Sequence, residues 1–293
     1  MIKQLIRRRQ PFVCLDFAND RLSVIEVTEG TVTRWCSHPL VEDVLRNGSP
    51  ADVGALGEVV RRVLTAAGIG ARQARLALPD EATVSRLLVL PAMPRRDLVR
   101  AMHFAAEKHI PFPLDRARWS WDVIDRTPAQ VSVYLVATWR DVVDQYAAVA
   151  RTAGLEPEVL EPRAIAVARA LNYDQAVVLD AGGRRLHVTL LVDGHPAFAD
   201  GVVTDDGATD RRDAIDRLLQ RAYRHKSTVP DAAGRTAPVL LAGDLEVSEL
   251  QLPVEGLPVG QVLNGQLPPV PPGFRAGGYL ANLGLSIRTA RWM

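Results

Sequence analysis

Val13–Val32 reads VCLDFANDRLSVIEVTEGTV, and Val177–Pro196 reads VVLDAGGRRLHVTLLVDGHP. The two stretches align without a gap. Leu15 falls on Leu179, Asp16 on Asp180, Arg21 on Arg185, Leu22 on Leu186, Val24 on Val188 and Gly30 on Gly194. Each copy reads as an apolar strand ending in Asp, a short turn, an alternating second strand, an acidic-Gly turn and a third strand. Any two β-meanders share a Val/Leu rhythm, but a common Asp, Arg and turn Gly at fixed positions argue for a duplicated unit. Two hairpins whose first turns follow an Asp suit a two-lobed phosphate clamp. Each turn offers backbone N–H groups to an anion, and each carboxylate can hold a metal or its water shell.

Composition sets the outer limits. The chain has 293 residues, 47% hydrophobic and 24% charged, enough apolar side chain for one large or two smaller cores. A formal charge of +1 gives no global field for nucleic acid or an anionic membrane. No apolar run approaches the roughly 20 residues of a membrane span, and Met1–Gln10 lacks the apolar stretch of a secretory signal. Cys14 and Cys36 are too few for a disulfide framework and read as reduced thiols of a cytosolic chain.

Between the copies the character changes. Asp52–Gly68 carries apolar Val53, Leu56, Val59, Val60, Val63 and Leu64 at helical spacing, and Ala74–Leu78 reads as a strand. Val84–Ile124 then reads as a strand over Ser85–Leu90, a proline-bounded turn, a helix over Arg95–His109 and a strand over Trp119–Ile124. Leu98, Ala101, Met102, Ala105 and Ala106 share one face of that helix. Pro111 and Pro113 stop it, since neither donates to the ladder and each disfavours helix in the residue before it. Val131–Thr138 is a further strand, Asp141–Ala153 a further helix, and Asp210–His225 the one evident helix of the stretch Gly201–Pro238.

The duplicated Asp hairpin resembles the actin/hexokinase-like superfamily, in which two related lobes face each other across a nucleotide cleft. Leu90–Pro94 followed by EKHIPFP at Glu107–Pro113 narrows this: the pattern is similar to PilM, the actin-like cytoplasmic component of type IV pilus assembly. AGLEPEVLEP at Ala153–Pro162, the turn at Val239–Gly243 and LANLGLSIR at Leu280–Arg288 extend the likeness nearly end to end. The resemblance implies an α/β actin-like fold with an inserted small α/β subdomain. The first lobe is expected over 1–83, completed by about 160–173 and 283–293; the insertion over 84–159; the second lobe over 174–282. The stretch Gly201–Pro238 is too short for a full lid over a nucleotide base.

An ATP cleft is implied, but the residues depart from one. The first turn, Phe17-Ala18-Asn19-Asp20-Arg21, has no glycine, and Asp20 adds negative charge where phosphate would sit. The second, Ala181-Gly182-Gly183-Arg184-Arg185, keeps two glycines and can still cradle an anion, and Gly243 remains of the adenosine-side run. If nucleotide binding is retained, the resemblance assigns it to Asp16, Asn19, Asp180, Gly182, Gly183 and Gly243, with Mg²⁺ on Asp16 and Asp180. If it is lost, those Asp residues are turn formers. The expectation is that hydrolysis is lost and no cofactor is needed, with an ATP·Mg²⁺-binding ATPase as the alternative. The six histidines show no ligand spacing, and neither a nucleophile elbow nor a P-loop occurs.

The function expected is a cytoplasmic scaffold, peripheral to the inner membrane, in a pilus or related secretion platform. PilM-like proteins hold the cytoplasmic tail of a bitopic partner, PilN, between the first lobe and the insertion. The residues expected to meet the tail border the inserted helix: Leu90, Met93, Phe104, His109, Ile110 and Phe112. A third reading is the cytoplasmic module of a type II secretion platform protein, which normally continues into a membrane helix; the sequence to Met293 contains none. The basic Met1–Gln10 is a candidate contact for an anionic leaflet, self-association is open, and Leu252–Gly273, rich in Pro and Gly, reads as a stiff surface connection.

Overall fold

Each copy of the repeat folds as a three-stranded antiparallel meander in a computed structural model that describes residues 10–18, 20–41, 43–182, 184–204, 208–228, 237–243, 255–256 and 267–288. In the first copy β1 (Phe12–Ala18) pairs with β2 (Arg21–Thr28), and β2 with β3 (Thr31–Pro39). The β2–β3 turn places Glu29 and Gly30 at φ +52° and +81°; Asp193 and Gly194 repeat this at +50° and +74°. Two left-handed residues in succession match the twist of the flanking strands, and Asp-Gly or Glu-Gly supplies them at low strain. After the small hairpin of β4 (Leu45–Arg46) and β5 (Ser49–Pro50), α1 (Val53–Ala66) starts under Asp52, whose carboxylate accepts from the Ala55 N–H at 2.9 Å. β6 (Gln73–Leu78) then returns parallel to β1.

The insertion follows as β7 (Thr83–Pro91), α2 (Arg95–His109), β8 (Ala117–Arg126) and β9 (Gln130–Trp139). Its antiparallel sheet has the order β7-β9-β8. α2 runs between Pro94 and Ile110 as its prolines dictate, with Asp97 in the first turn and Lys108 and His109 in the last, where the helix dipole favours them. Leu98, Met102 and Ala106 bury it against Val131, Val133 and Leu135, one face of the sheet. The opposite face looks into the molecule.

α3 (Arg140–Thr152) leaves the insertion and packs on α1. Tyr146, Val149 and Ala150 enter the first-lobe core, and the Tyr146 hydroxyl donates to the Gly48 carbonyl at 3.0 Å. β10 (Glu156–Pro162) then joins the first sheet beside β6. By packing, the insertion therefore closes at Trp139 rather than at 159, because the apolar face of α3 fits the first lobe and not the small sheet. α4 (Arg163–Leu171) leads into the second copy: β11 (Gln175–Gly182), β12 (Arg185–Val192) and β13 (His195–Val203). α5 (Ala208–Thr228), β14 (Val239–Gly243), the short β15 (Glu255–Gly256) and α6 (Leu280–Ser286) complete the described chain.

The two five-stranded sheets have the same topology, β3-β2-β1-β6-β10 and β13-β12-β11-β14-β15, each adding two parallel strands to its meander. The duplication thus extends beyond the quoted stretches to whole sheets. α4 and α6 lie between them in one core shared by Cys14 and Ile25 of the first sheet and Val178 and Leu240 of the second. α6, expected partly in each lobe, packs on both. Its Asn282 amide donates to the Cys14 and Ser23 carbonyls at 2.9 Å each. Among the described residues no helix is long and apolar enough to cross a membrane. Residues 1–9 of the basic tail and most of Leu252–Gly273 lie outside the described residues.

Gly284 lets α6 touch α4, since a Cβ there would land on the Ala166 carbonyl. Gly284→Ala is expected to cost about 3 kcal/mol, the upper range of overpacking, and urea unfolding measures it. A cost under about 0.5 kcal/mol, usual for a surface site, would mean that the helices are not in that contact.

Candidate functional site

The ends of β1 and β11 bring Asp16 and Asp180 together at the bottom of the cleft between the lobes, as the duplication requires. Between them lies a cation that belongs to the chain. Arg163, the first residue of α4, donates from Nε to Asp16 Oδ2 at 3.2 Å and from Nη2 to Asp180 Oδ2 in a short bond. Asp80 Oδ2 lies 4.0 Å from Nη1, and Asp80 Oδ1 accepts from the Ala164 N–H at 3.0 Å, capping α4. All four side chains are at most 7% exposed. Burial opposes the charge of Arg163, but Asp16, Asp180 and Asp80 outweigh it and raise its pKa further. Burial also pushes the Asp16 and Asp80 carboxyls above the usual range, against the pull of Arg163. One guanidinium does not neutralise three carboxylates in a dry site.

A second pair closes the cleft nearer its mouth. Arg185, in the turn of the second copy, donates from Nε to Asp20 Oδ1 at 2.6 Å and from Nη1 to Glu81 Oε1 at 3.2 Å. Asp20, in the turn of the first copy, holds a left-handed backbone at φ +53°. The two turns that depart from a phosphate cradle are thus complementary: acid on one, base on the other. Arg184 donates to the Thr204 carbonyl at 3.0 Å. His187, buried beside this pair, has Nε2 4.0 Å from Glu81 Oε1.

What remains open beside Asp16, Asp180, Gly182 and Gly243 is about 30 Å³, room for one water. A Cβ at Gly243, which sits at φ +74°, would land on the Ala181 carbonyl, so this turn closes directly on β11. These residues do not fit a magnesium nucleotide: the cation position is filled by Arg163, and the phosphate position is narrowed by Arg185 and Asp20. Of the other expected ligands, Asn19 and Gly183 lie outside the described residues. Sequence reading missed Arg163. The available signal was an arginine at the first position of a helix directly after Pro162, where the dipole disfavours a cation.

The residues expected to meet a partner lie elsewhere than the groove they were meant to line. Ile110 is buried under α2, while Leu90, Met93 and Phe112 pack at the edge of the same small core. Phe104 is 70% exposed on the outer side of α2, and His109, partly buried in its last turn, is held below its usual pKa by burial and then by Lys108. α2 covers the outer face of the small sheet, and the groove is on the inner one. Phe112 stacks on Trp139 at 4.3 Å. A groove between first lobe and insertion is present, about 460 Å³, and its walls include Val136, Val143, Leu160 and Ile165. It runs between β8 and β10, each the outermost strand of its sheet.

The family model of the type IV pilus assembly protein PilM matches residues 15–222. A chain of the PilM-PilN type IV pilus biogenesis complex superposes with a TM-score of 0.71 at 20% identity, covering 96% of this chain and 98% of that one. The cytoplasmic domain of EpsL, an inner-membrane component of the type II secretion system of Vibrio cholerae, gives 0.53 at 13% identity, covering 86% and 91%. The fold is actin-like, as the duplicated sheets require.

Arg163→Met leaves Asp16, Asp80 and Asp180 facing one another and is expected to cost about 3–5 kcal/mol at neutral pH. The sign with pH follows from the raised carboxyls. A carboxyl whose folded pKa lies above its unfolded value takes up its proton more readily in the fold, so stability is regained as pH falls through the folded pKa. Urea unfolding at about pH 7.5 and pH 5 should therefore show the deficit of the variant narrowing on acidification. An equal deficit at both would mean that the three carboxylates are not buried charges.

Proposed function

We propose that this chain, which belongs to the PilM family of type IV pilus assembly proteins, serves as a cytoplasmic scaffold peripheral to the inner membrane and does not hydrolyse ATP. The observation that carries the second half of this reading is Arg163. A nucleotide site of the actin type needs a metal between the paired carboxylates and bare N–H groups facing phosphate. In this chain a guanidinium bonded to both carboxylates takes the first place, and Arg185 bridging to Asp20 and Glu81 crosses the second. Entry of a nucleotide would break two sets of ion pairs, one of them buried, and leave their charges unmatched.

The first half rests on family membership and on the groove between β8 and β10. A solved relative of the same fold is a PilM–PilN complex, and a PilN-like tail is the ligand proposed for this groove. Its size suits an extended segment with apolar side chains over Val136, Val143, Leu160 and Ile165. An edge strand on either side offers main-chain hydrogen bonds, the physical basis of strand addition. In this arrangement the membrane partner supplies the anchor, and the chain needs no span of its own.

Two measurements test the two halves separately. Calorimetric titration with ATP and Mg²⁺ is expected to give no heat and no thermal shift at millimolar nucleotide, and tight binding would restore the ATPase reading. For the groove, a synthetic peptide of the cytoplasmic tail of the PilN-like partner should lose at least tenfold affinity, about 1.4 kcal/mol, for Ile165→Asp. The same peptide should bind Phe104→Asp as it binds the native chain. The reverse pattern would move the site to the outer side of α2.

A further inference from the structure

The groove does not end where its apolar wall ends. On the inner face of the small sheet, Arg118 opposes Thr138, Ser120 opposes Val136 and Asp122 opposes Tyr134, three successive rungs of the β8–β9 ladder. The first two rungs line the groove, and the third lines a second cavity of about 340 Å³. α4 runs alongside in the same way. Ile165 borders both cavities, while Ala168, Arg169 and Asn172, at i+3, i+4 and i+7 from it, line the second. One strand face and one helix face thus form the two walls of a single channel. From Arg118 to Asp122 it extends about 13 Å at the rise of a strand. Its far end is closed by the β12–β13 turn of the second lobe, with His195 and Pro196.

The two ends differ in chemistry. The near end sets Val136, Val143, Leu160 and Ile165 beside charges of both signs, Arg118, Arg140, Glu158 and Glu161, whereas the far end carries two carboxylates, Asp122 and Asp174, with no ion-pair partner among the described residues; Asp122 Oδ1 accepts only from the Val123 N–H at 2.9 Å. The arginine that lines this cavity is already committed: Arg169 donates to both oxygens of Glu161, at 2.6 and 2.9 Å, and to the Gly284 carbonyl at 3.0 Å. A second feature points to a ligand. Tyr134 is 4% exposed, and its buried hydroxyl, with the Ser85 hydroxyl beside it, has no partner at full hydrogen-bond geometry. Ser85 opposite the Val136 rung uses its own hydroxyl on the Pro196 carbonyl at 3.3 Å. The Tyr134 ring lies 5.4 Å from that of His195, whose Nδ1–H donates to the Asp193 carbonyl at 2.7 Å. An unsatisfied buried hydroxyl is costly to keep, and two unpaired carboxylates beside an aromatic wall suit an ammonium or guanidinium group.

We infer that an extended peptide in the groove continues along β8 into the second cavity and sets a lysine or arginine side chain between Asp122 and Asp174, with a polar group of the peptide on the Tyr134 hydroxyl. This rests on the reading of the groove as a tail site and deepens it: the ligand then touches the insertion, α4 and the second lobe together.

The test uses the full chain and a fluorescein-labelled synthetic peptide of the PilN-like partner's cytoplasmic tail, read by anisotropy at low and moderate salt. Asp122→Asn and Asp174→Asn, both at exposed positions, should each weaken binding about tenfold at low salt, in line with one charge-assisted contact, and less at higher salt. A peptide with Lys and Arg replaced by Gln should lose a similar factor on the native chain and nothing further on the double Asn variant. Tyr134→Phe should weaken binding while leaving the melting temperature unchanged or raised, since it removes an unpaired polar atom. If the native chain binds and Ile165→Asp abolishes binding while the Asn variants and the Gln peptide behave as native, the channel stops at Ile165 and the inference is overturned, with the groove reading intact. If the native chain does not bind the peptide, both fall together.

Discussion

The guanidinium of Arg163 is the constraint around which the two lobes are arranged. Three carboxylates reach it from three places: Asp16 from the first sheet, Asp180 from the second, and Asp80 from the loop that leads into the insertion. Buried charge of this kind contributes little net stability compared with an apolar core, but removing one member leaves the others unmatched. Its effect is therefore on geometry. The distance between the lobes is set by the reach of one side chain, and the start of α4 is fixed by Asp80, which caps it.

Other features of the interior agree with a fixed spacing. The shared core joins residues of both sheets through α4 and α6, so separation of the lobes would expose apolar surface on each. Arg185, Asp20 and Glu81 tie the outer edges of the same cleft. The insertion also bridges, because Leu87 on β7 packs into the second-lobe core and Ser85 bonds to Pro196. Domain closure around a ligand requires an open state whose exposed surface is affordable. Here the place between the paired carboxylates is held by the guanidinium of Arg163.

Much of this was legible in sequence, and what was not has an identifiable cause. The duplication could be read because its signal is local and repeated: Asp at a strand end, Gly at a left-handed turn, and alternation between them. α2 could be bounded at both ends because proline constrains backbone whatever the tertiary setting. Arg163 could not be paired with its partners by any such rule. Asp16 lies 147 positions away in the chain, and helix geometry says only that the dipole is unfavourable there. The face of the small sheet that α2 covers was equally hidden. Helical periodicity shows which side of α2 is apolar, but both faces of the insertion's strands carry apolar residues. Phe104 and Ile110 therefore looked like groove residues in sequence, while Val136, Leu160 and Ile165 line the groove in the fold. The end of the insertion was misplaced for a related reason, since amphipathicity does not say which core a helix such as α3 will join.

The two ion-pair bars across the cleft also bear on how such a protein can change. A mutational path toward a phosphate-binding cleft must alter both bars, and neither change is harmless alone. Loss of Arg163 strands three acids in the interior, whereas loss of Arg185 leaves Asp20 facing any incoming anion. Single substitutions thus pass through variants that are less stable and still carry one bar across the cleft. With several kcal/mol as the entire margin of a typical domain, that barrier opposes stepwise change at either bar.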